Sequence, residues 1–255
     1  MIFKEKAVLV TGATSGIGRA AALKFAAEGA RVALVGRSRD ALDATRKAMA
    51  GNGDGAVAIR ADVTREEEVR RAVDEAVRAL RKLDVLVCGA GVIGTGNIEN
   101  TTPDLWDQMM AVNVRSVFRL VQLALPAITA RTGSIVVVSS VNGQRAFPNV
   151  LAYCCSKAAV DQFVMCASLE LAPKGIRINA VNPGVTRTNL HRRSGMSEAD
   201  YAAFVERSKT THPIGRIAEP EEVADMILFL ASERAGVITG NCVFVDGGRH
   251  NTCAR

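Results

Sequence analysis

Tyr153-Cys154-Cys155-Ser156-Lys157 sets a phenol and an ammonium four residues apart, a spacing that brings both to one face of a helix. A free tyrosine, with a pKa of about 10, is a poor base at neutral pH. A neighbouring ammonium stabilises the phenolate and makes the pair a usable proton carrier. Two other polar positions could serve it. Ser139 and Ser140 follow the apolar run 134–138, and either hydroxyl could polarise a carbonyl oxygen beside the tyrosine. Asn113, in Ala111-Val112-Asn113-Val114, stands mid-helix, where asparagine is unfavourable without a buried purpose. A polar group there could hold a water for a proton relay.

A second chemistry is written near the start, in Thr11-Gly12-Ala13-Thr14-Ser15-Gly16-Ile17-Gly18. The glycines let the backbone turn tightly and come close to a ligand. The helix after the turn offers free N–H groups and a positive dipole end, an environment suited to a pyrophosphate. The turn falls between the first strand and the first helix, where dinucleotide folds bind phosphate. Such folds end their second strand in a carboxylate for the ribose 2′-hydroxyl, but this chain reads Val35-Gly36-Arg37-Ser38-Arg39. Arginine can hold a 2′-phosphate that a carboxylate would repel, so the expectation is NADP(H) in preference to NAD(H). Asp62 and Val63, after the third strand, would border the adenine, and Asp62 reads equally as a helix cap.

These residues need a frame that brings them together. Apolar strand-like runs at 7–10, 31–35, 56–60, 85–88, 134–138, 177–181 and 242–245 alternate with helical patterns at 15–28, 39–50, 65–81, 103–129 and 150–172, and a later pair follows the sixth run. Strands that are apolar on both faces, alternating with helices, imply an α/β fold: one Rossmann-type, doubly wound, mostly parallel seven-stranded sheet flanked by helices. No linker or repeat divides residues 1–255, so a single domain is expected. Pro220-Glu221-Glu222 opens the last helix well, with proline in its first turn and acids at its positive end. The polar, basic stretch 186–218 breaks the rhythm and reads as a loop-rich substrate lid.

Composition narrows the remaining classes. The net charge of +6 is spread among acids, as in Arg65-Glu66-Glu67-Glu68-Val69-Arg70-Arg71, which argues against a nucleic-acid partner. No apolar run approaches the roughly 20 residues of a membrane span. Met1 to Lys6 passes directly into a strand, so the expected localisation is cytoplasmic and the 6 cysteines are expected to be reduced thiols. No CxxC or Cys/His spacing suggests a metal site. Cys154 and Cys155 flank Tyr153 closely enough that a lowered thiol pKa there would give redox sensitivity, although buried inert thiols are the commoner outcome.

Taken in order, these motifs resemble those of the short-chain dehydrogenase/reductase family, particularly its 3-oxoacyl-ACP reductase-like and carbonyl reductase-like members. The resemblance runs from Thr11–Gly18 to Val245-Asp246-Gly247-Gly248. It implies an Asn-Ser-Tyr-Lys tetrad at Asn113, Ser140, Tyr153 and Lys157, and it chooses Ser140 over Ser139 because the family serine precedes its tyrosine by thirteen. It further implies cofactor contacts from Pro183, Gly184, the backbone of Val185, and Thr188, with Ala90 and Gly91 packing over the cofactor. The implied reaction is reversible hydride transfer between a nicotinamide and a secondary alcohol or ketone, in a homotetramer built on the fourth and fifth helices and the C-terminal segment. One departure stands out: Cys88-Gly89-Ala90-Gly91 replaces the family's Asn-Asn-Ala-Gly, so the hydrogen bonds of both asparagines must be made otherwise.

The substrate is not named by these residues. Gly94, Thr95, Asn142, Gln144, Arg145 and Asn149 flank the tetrad, and His191, Arg192 and Arg193 form a basic cluster in the excursion that could draw an anionic or polar carbonyl compound. His191 has no acidic neighbour in sequence and receives no catalytic role. Other readings of the same fold are a dinucleotide-binding regulator without turnover, a Rossmann-type methyltransferase, and a sugar dehydratase or epimerase.

Overall fold

The computed structural model describes residues 1–49, 55–128 and 133–252. The expected helix ends at Ala50 and Thr129 lie outside the described residues. Seven strands, β1 (Ala7–Thr11), β2 (Arg31–Gly36), β3 (Val57–Arg60), β4 (Val85–Cys88), β5 (Ser134–Val138), β6 (Arg177–Pro183) and β7 (Cys242–Val245), form one sheet in the order β3-β2-β1-β4-β5-β6-β7. Every neighbouring pair is parallel. The order reverses between β1 and β4, and that switch point opens a crevice at the carboxyl ends of the strands.

Helices α1 (Gly16–Ala27), α2 (Arg39–Lys47), α3 (Glu66–Leu80), α4 (Pro103–Met110), α5 (Ser116–Ala124) and α6 (Leu151–Leu171) follow the strands in turn. The excursion carries α7 (Leu190–Arg193) and α8 (Glu198–Thr211), and α9 (Pro220–Ala231) precedes β7. Two apolar layers result. Phe25, Leu34, Leu42, Val136 and Ile227 pack between the sheet and α1, α2 and α9. Leu9, Ile59, Leu86, Leu120, Ile135 and Val164 fill the side covered by α3, α5 and α6. Central strands are therefore buried on both faces, which is why they read as unbroken apolar runs.

Two expectations change in detail. The single helix foreseen over 103–129 is three pieces: α4, a π-helical segment Ala111–Arg115, and α5, which ends in a 3-10 turn, Leu125–Ala127. Pro126 cannot donate the amide that would continue α5. The excursion is largely helical rather than loop-rich. Ser197 caps α8 by accepting from the Asp200 N–H at 3.1 Å. A parallel bridge between Thr186 and Ala218 stitches the excursion's two ends together. Among the described residues no helix is long and apolar enough to cross a membrane, and no group of His, Cys, Asp and Glu could hold a metal ion.

Candidate active site

A cleft of about 740 Å³ runs along the carboxyl edge of the sheet. At one end Gly12, Thr14, Ser15, Gly16, Ile17 and Gly18 line it, with Arg37, Asp62 and Val63 beside them. Gly12 has φ +69° and Gly16 φ +54°, both in the left-handed region that favours glycine. A Cβ on Gly12 would lie 2.5 Å from the Gly89 carbonyl oxygen, and one on Gly18 would lie 2.5 Å from the Gly12 oxygen. The turn is thus a cradle of bare main chain. Ser15, at the start of α1, gives the helix no side-chain cap. The first N–H groups of α1, left without a side-chain cap where the turn lines the cleft, form a donor set that fits a pyrophosphate.

Asp62 accepts from the Thr64 N–H at 2.9 Å and the Thr64 hydroxyl at 2.7 Å. Burial pushes its carboxyl up, but the Thr64 bonds and the Arg37 and Arg65 guanidinium groups together outweigh that and hold it below its ordinary pKa. The helix it precedes is capped at Arg65, so Asp62 does not serve as the helix cap. Arg39 is bound to Asp43 at 3.0 Å and to the Ala58 carbonyl at 3.1 Å. Arg37 lines the cleft and makes no ion pair with a described residue.

The other end of the cleft is built from buried side chains. Tyr153 and Lys157 project from α6 and are 6% and 4% exposed, and Asp161 continues the same face one turn further at 2%. Lys157 Nζ donates to the Val138 carbonyl at 2.8 Å and lies 5.7 Å from the centre of the Tyr153 ring. Burial drives the Tyr153 pKa up to about 12, opposed by a hydrogen bond with Ser140. Burial likewise drives Lys157 down to about 8, opposed by the carboxylate of Asp161. Asn182, on β6, joins the two walls by donating to the Ser140 carbonyl at 2.9 Å and to Asp161 Oδ2 at 2.8 Å.

Among the described residues a single cleft thus brings together every residue expected to hold the cofactor or move the proton except one. Ala90, Gly91, Ser140, Tyr153, Lys157, Pro183, Gly184, Val185 and Thr188 line it with the glycine turn, whereas Asn113 does not. Asn113 is buried beneath the cleft in the π-helical segment. Its amide accepts from the Val92 N–H at 3.0 Å and donates to the Val92 carbonyl and to Ser156 Oγ, each at 3.0 Å. Val185 gives its N–H to His212 Nε2 at 3.1 Å and its carbonyl to the Ala218 N–H at 3.0 Å, so a ligand would meet only the second lone pair of that carbonyl.

A profile described as enoyl-(acyl carrier protein) reductase matches residues 12–250. Glucose 1-dehydrogenase of Gluconobacter oxydans is 40% identical over 252 residues, covering 96% of this chain and 92% of the relative. A 3-oxoacyl-acyl-carrier-protein reductase of Thermotoga maritima is 36% identical over 249 residues, covering 97% and 99%. The crystal structure of a short-chain dehydrogenase/reductase of unknown function from Caenorhabditis elegans, solved with cofactor, superposes with a TM-score of 0.94 at 33% identity, covering 100% of this chain and 98% of that one. The chain belongs to the short-chain dehydrogenase/reductase family. It is an NAD(P)-dependent oxidoreductase that works between an alcohol and a ketone.

The departure from Asn-Asn-Ala-Gly has a local explanation in this short-chain dehydrogenase/reductase. Thr11 Oγ1 accepts from the Gly89 and Ala90 N–H groups at 3.2 and 3.4 Å and donates to the Val87 carbonyl at 3.4 Å. A Cβ on Gly89 would lie 2.7 Å from the Thr11 carbonyl oxygen, so the loop sits too close to β1 for an asparagine. Cys88 is buried in the apolar core, and burial pushes its thiol up to about 12. The cysteines at 88, 154, 155, 166 and 242 are all free.

Of the residues expected around the substrate, Asn142, His191 and Arg193 line the cleft. Gly94, Thr95, Gln144, Arg145, Asn149 and Arg192 do not. Arg192 turns outward to Glu198 at 2.6 Å and stacks 3.9 Å over the Tyr201 ring. His191 packs against the Phe204 ring at 4.6 Å, and burial lowers its pKa. Phe147 and Arg249 also line the cleft and were not foreseen. The signal for Arg249 was its place immediately after the Asp246-Gly247-Gly248 turn.

Proposed function

We propose that this enzyme interconverts a ketone and a secondary alcohol with NADP(H) in preference to NAD(H), and that Tyr153 carries the proton. The observation that carries the reading is Lys157, whose ammonium is fixed by the Val138 carbonyl beside the Tyr153 ring on the floor of the cleft. Gly12 to Gly18, Asp62, Val63, Ala90, Gly91, Pro183, Gly184, Val185 and Thr188 would hold the dinucleotide, with Arg37 at its 2′-phosphate. When bound, the nicotinamide supplies or accepts the hydride.

The chain's own residues manage the rest. Ser140 Oγ accepts from the Asn142 N–H at 3.2 Å and donates to Asn142 Oδ1 at 3.1 Å, and on substrate binding its hydroxyl would turn from that amide to the substrate oxygen. Tyr153, protonated at neutral pH, gives its proton to that oxygen during reduction. Lys157 stabilises the phenolate that remains. Asn113 ties the loop after β4 to α6 through Val92 and Ser156, so its amide acts as a brace. The excursion 186–218, its Thr188 methyl packed toward Gly16, serves as the substrate lid. Phe118, Met165 and Leu169, exposed on α5 and α6, support assembly into a homotetramer across those helices.

Tyr153→Phe removes the proton without changing the shape of the ring. A carbonyl panel should show kcat lower by about 10²–10⁴-fold with NADPH affinity retained. Turnover at the wild-type rate would overturn the assignment, and equal kcat/KM with NADH and NADPH in the parent enzyme would overturn the reading of Arg37.

A further inference from the structure

The charge lining the cleft is one-sided. Its only carboxylate among the described residues is Asp62, at the adenosine end. Beyond Tyr153 the wall is apolar, formed by Val92, Ile93, Phe147 and Val150, and it is closed by Arg249. Arg249 follows β7, with its guanidinium 4.8 Å over the Phe147 ring and bonded to the Thr211 hydroxyl. It is partly buried, yet it forms no ion pair with a described residue. Asp246, the carboxylate that acts on it, has its oxygens taken by the N–H groups of Gly248 and His250 at 3.0 and 2.7 Å and by the His250 ring at 2.9 Å.

A partly buried guanidinium bonded only to a neutral hydroxyl lacks an opposite charge, and an arriving anion supplies one through charge-assisted bonds. Its stacking on Phe147 fixes the planar fork in advance, so little side-chain freedom is lost when the anion binds. Arg193 adds a second positive charge to the same cleft, whereas Arg192 is drawn away by Glu198.

We propose that the substrate is an acidic carbonyl compound whose carboxylate or phosphate is held by Arg249 while its ketone lies at Tyr153. This rests on the reductase reading above. Arg193 contributes through its field, drawing the anion into the cleft and weakening with ionic strength.

The test uses matched pairs with NADPH: acetoacetate against methyl acetoacetate for the carboxylate, and dihydroxyacetone phosphate against dihydroxyacetone for the phosphate. Wild-type enzyme should favour the anionic member of one pair by about tenfold or more in kcat/KM, chiefly through KM. The pair that shows the preference identifies which anion the site takes. Arg249→Met should bring that ratio close to one and Arg249→Lys should recover part of it, with circular dichroism and NADPH affinity reporting that the variant is folded. The inference is overturned if the neutral members are used equally well, if Arg249→Met keeps the preference, or if its main effect is on NADPH affinity. If the enzyme reduces other ketones of a broad carbonyl panel but no member of either pair, this inference is overturned; if it binds NADPH yet reduces nothing in the panel, the reductase reading falls and this inference with it.

Discussion

The two ends of the cleft are made of different material. At the phosphate end the walls are main chain: Gly12, Gly16 and Gly18 bring backbone within reach of a ligand, and Thr11 ties the neighbouring loop by its amides. At the catalytic end the walls are side chains: Tyr153, Lys157, Asp161, Asn182, Asn113 and Ser156 are buried polar groups that hold one another. The first end leaves no room for an added atom, and the second cannot lose one without orphaning a partner. Substitutions that add volume should therefore damage cofactor binding, and those that remove a charge or a hydrogen bond should damage proton transfer.

The largest effect that would separate the two ends is expected from Gly12→Ala. The new methyl would meet the Gly89 carbonyl at 2.5 Å from a backbone at φ +69°, so the turn must shift. Strain of this kind costs about 1–3 kcal/mol, and titration should show NADPH affinity reduced by more than tenfold. Unchanged affinity would mean that the turn is looser than its geometry indicates. A smaller effect should follow Gly89→Asn, which restores the family residue. With its Cβ 2.7 Å from the Thr11 oxygen, it should lower stability by about 1–3 kcal/mol in denaturant melts, the usual cost of overpacking. A gain in stability would show that Thr11 is not the substitute we take it to be.

The subtlest change sharpens the other side of the comparison. Asp161→Asn keeps the shape but removes the carboxylate that supports the Lys157 ammonium. Burial has already lowered Lys157 to about 8, and Asp161 opposes that shift. Without the carboxylate the ammonium is lost at lower pH, so the alkaline fall of the reductase rate should begin earlier. Any titration on that limb is read against the groups facing Lys157, namely Tyr153 and Asp161 on its own helix and the neutral Val138 carbonyl from β5. An unmoved alkaline limb would leave Asp161 a purely structural role.

How much of this was legible in the sequence depends on the same division. A backbone-built site must be glycine, so Thr11 to Gly18 could be read directly, whereas the β1–β4 switch point came only with the strand order of the structure. The i, i+4 spacing of Tyr153 and Lys157 was equally plain, because a helix fixes it locally. Asn182 and Asp161 went unnoticed because their value lies in meeting across 21 residues of chain, and neither type signals that by itself. The π-helical turn was unreadable because nothing in Ala111–Arg115 demands it. The basic cluster was read as one patch, yet in space Arg192 and Arg193 part company and Arg249 takes the inner place. The bounds of α8 were not legible because a largely polar surface segment carries little amphipathic signal.

The segment Ala111–Arg115 has a consequence for how this protein can change over generations. A π-helical turn amounts to a single extra residue spliced into an α-helical rod, and each residue turns the rest of the rod by about 100° around its axis. The phase between α4, packed against α6, and α5, packed against the sheet, is therefore stored as a count of codons and not as the identity of any side chain. A lineage can exchange Ala111, Val112 or Val114 for other apolar residues and keep that phase. The loss of one codon would leave a continuous helix and turn Asn113 away from Val92 and Ser156. Insertions and deletions, invisible to a substitution scan, are the changes to which this part of the enzyme is most exposed.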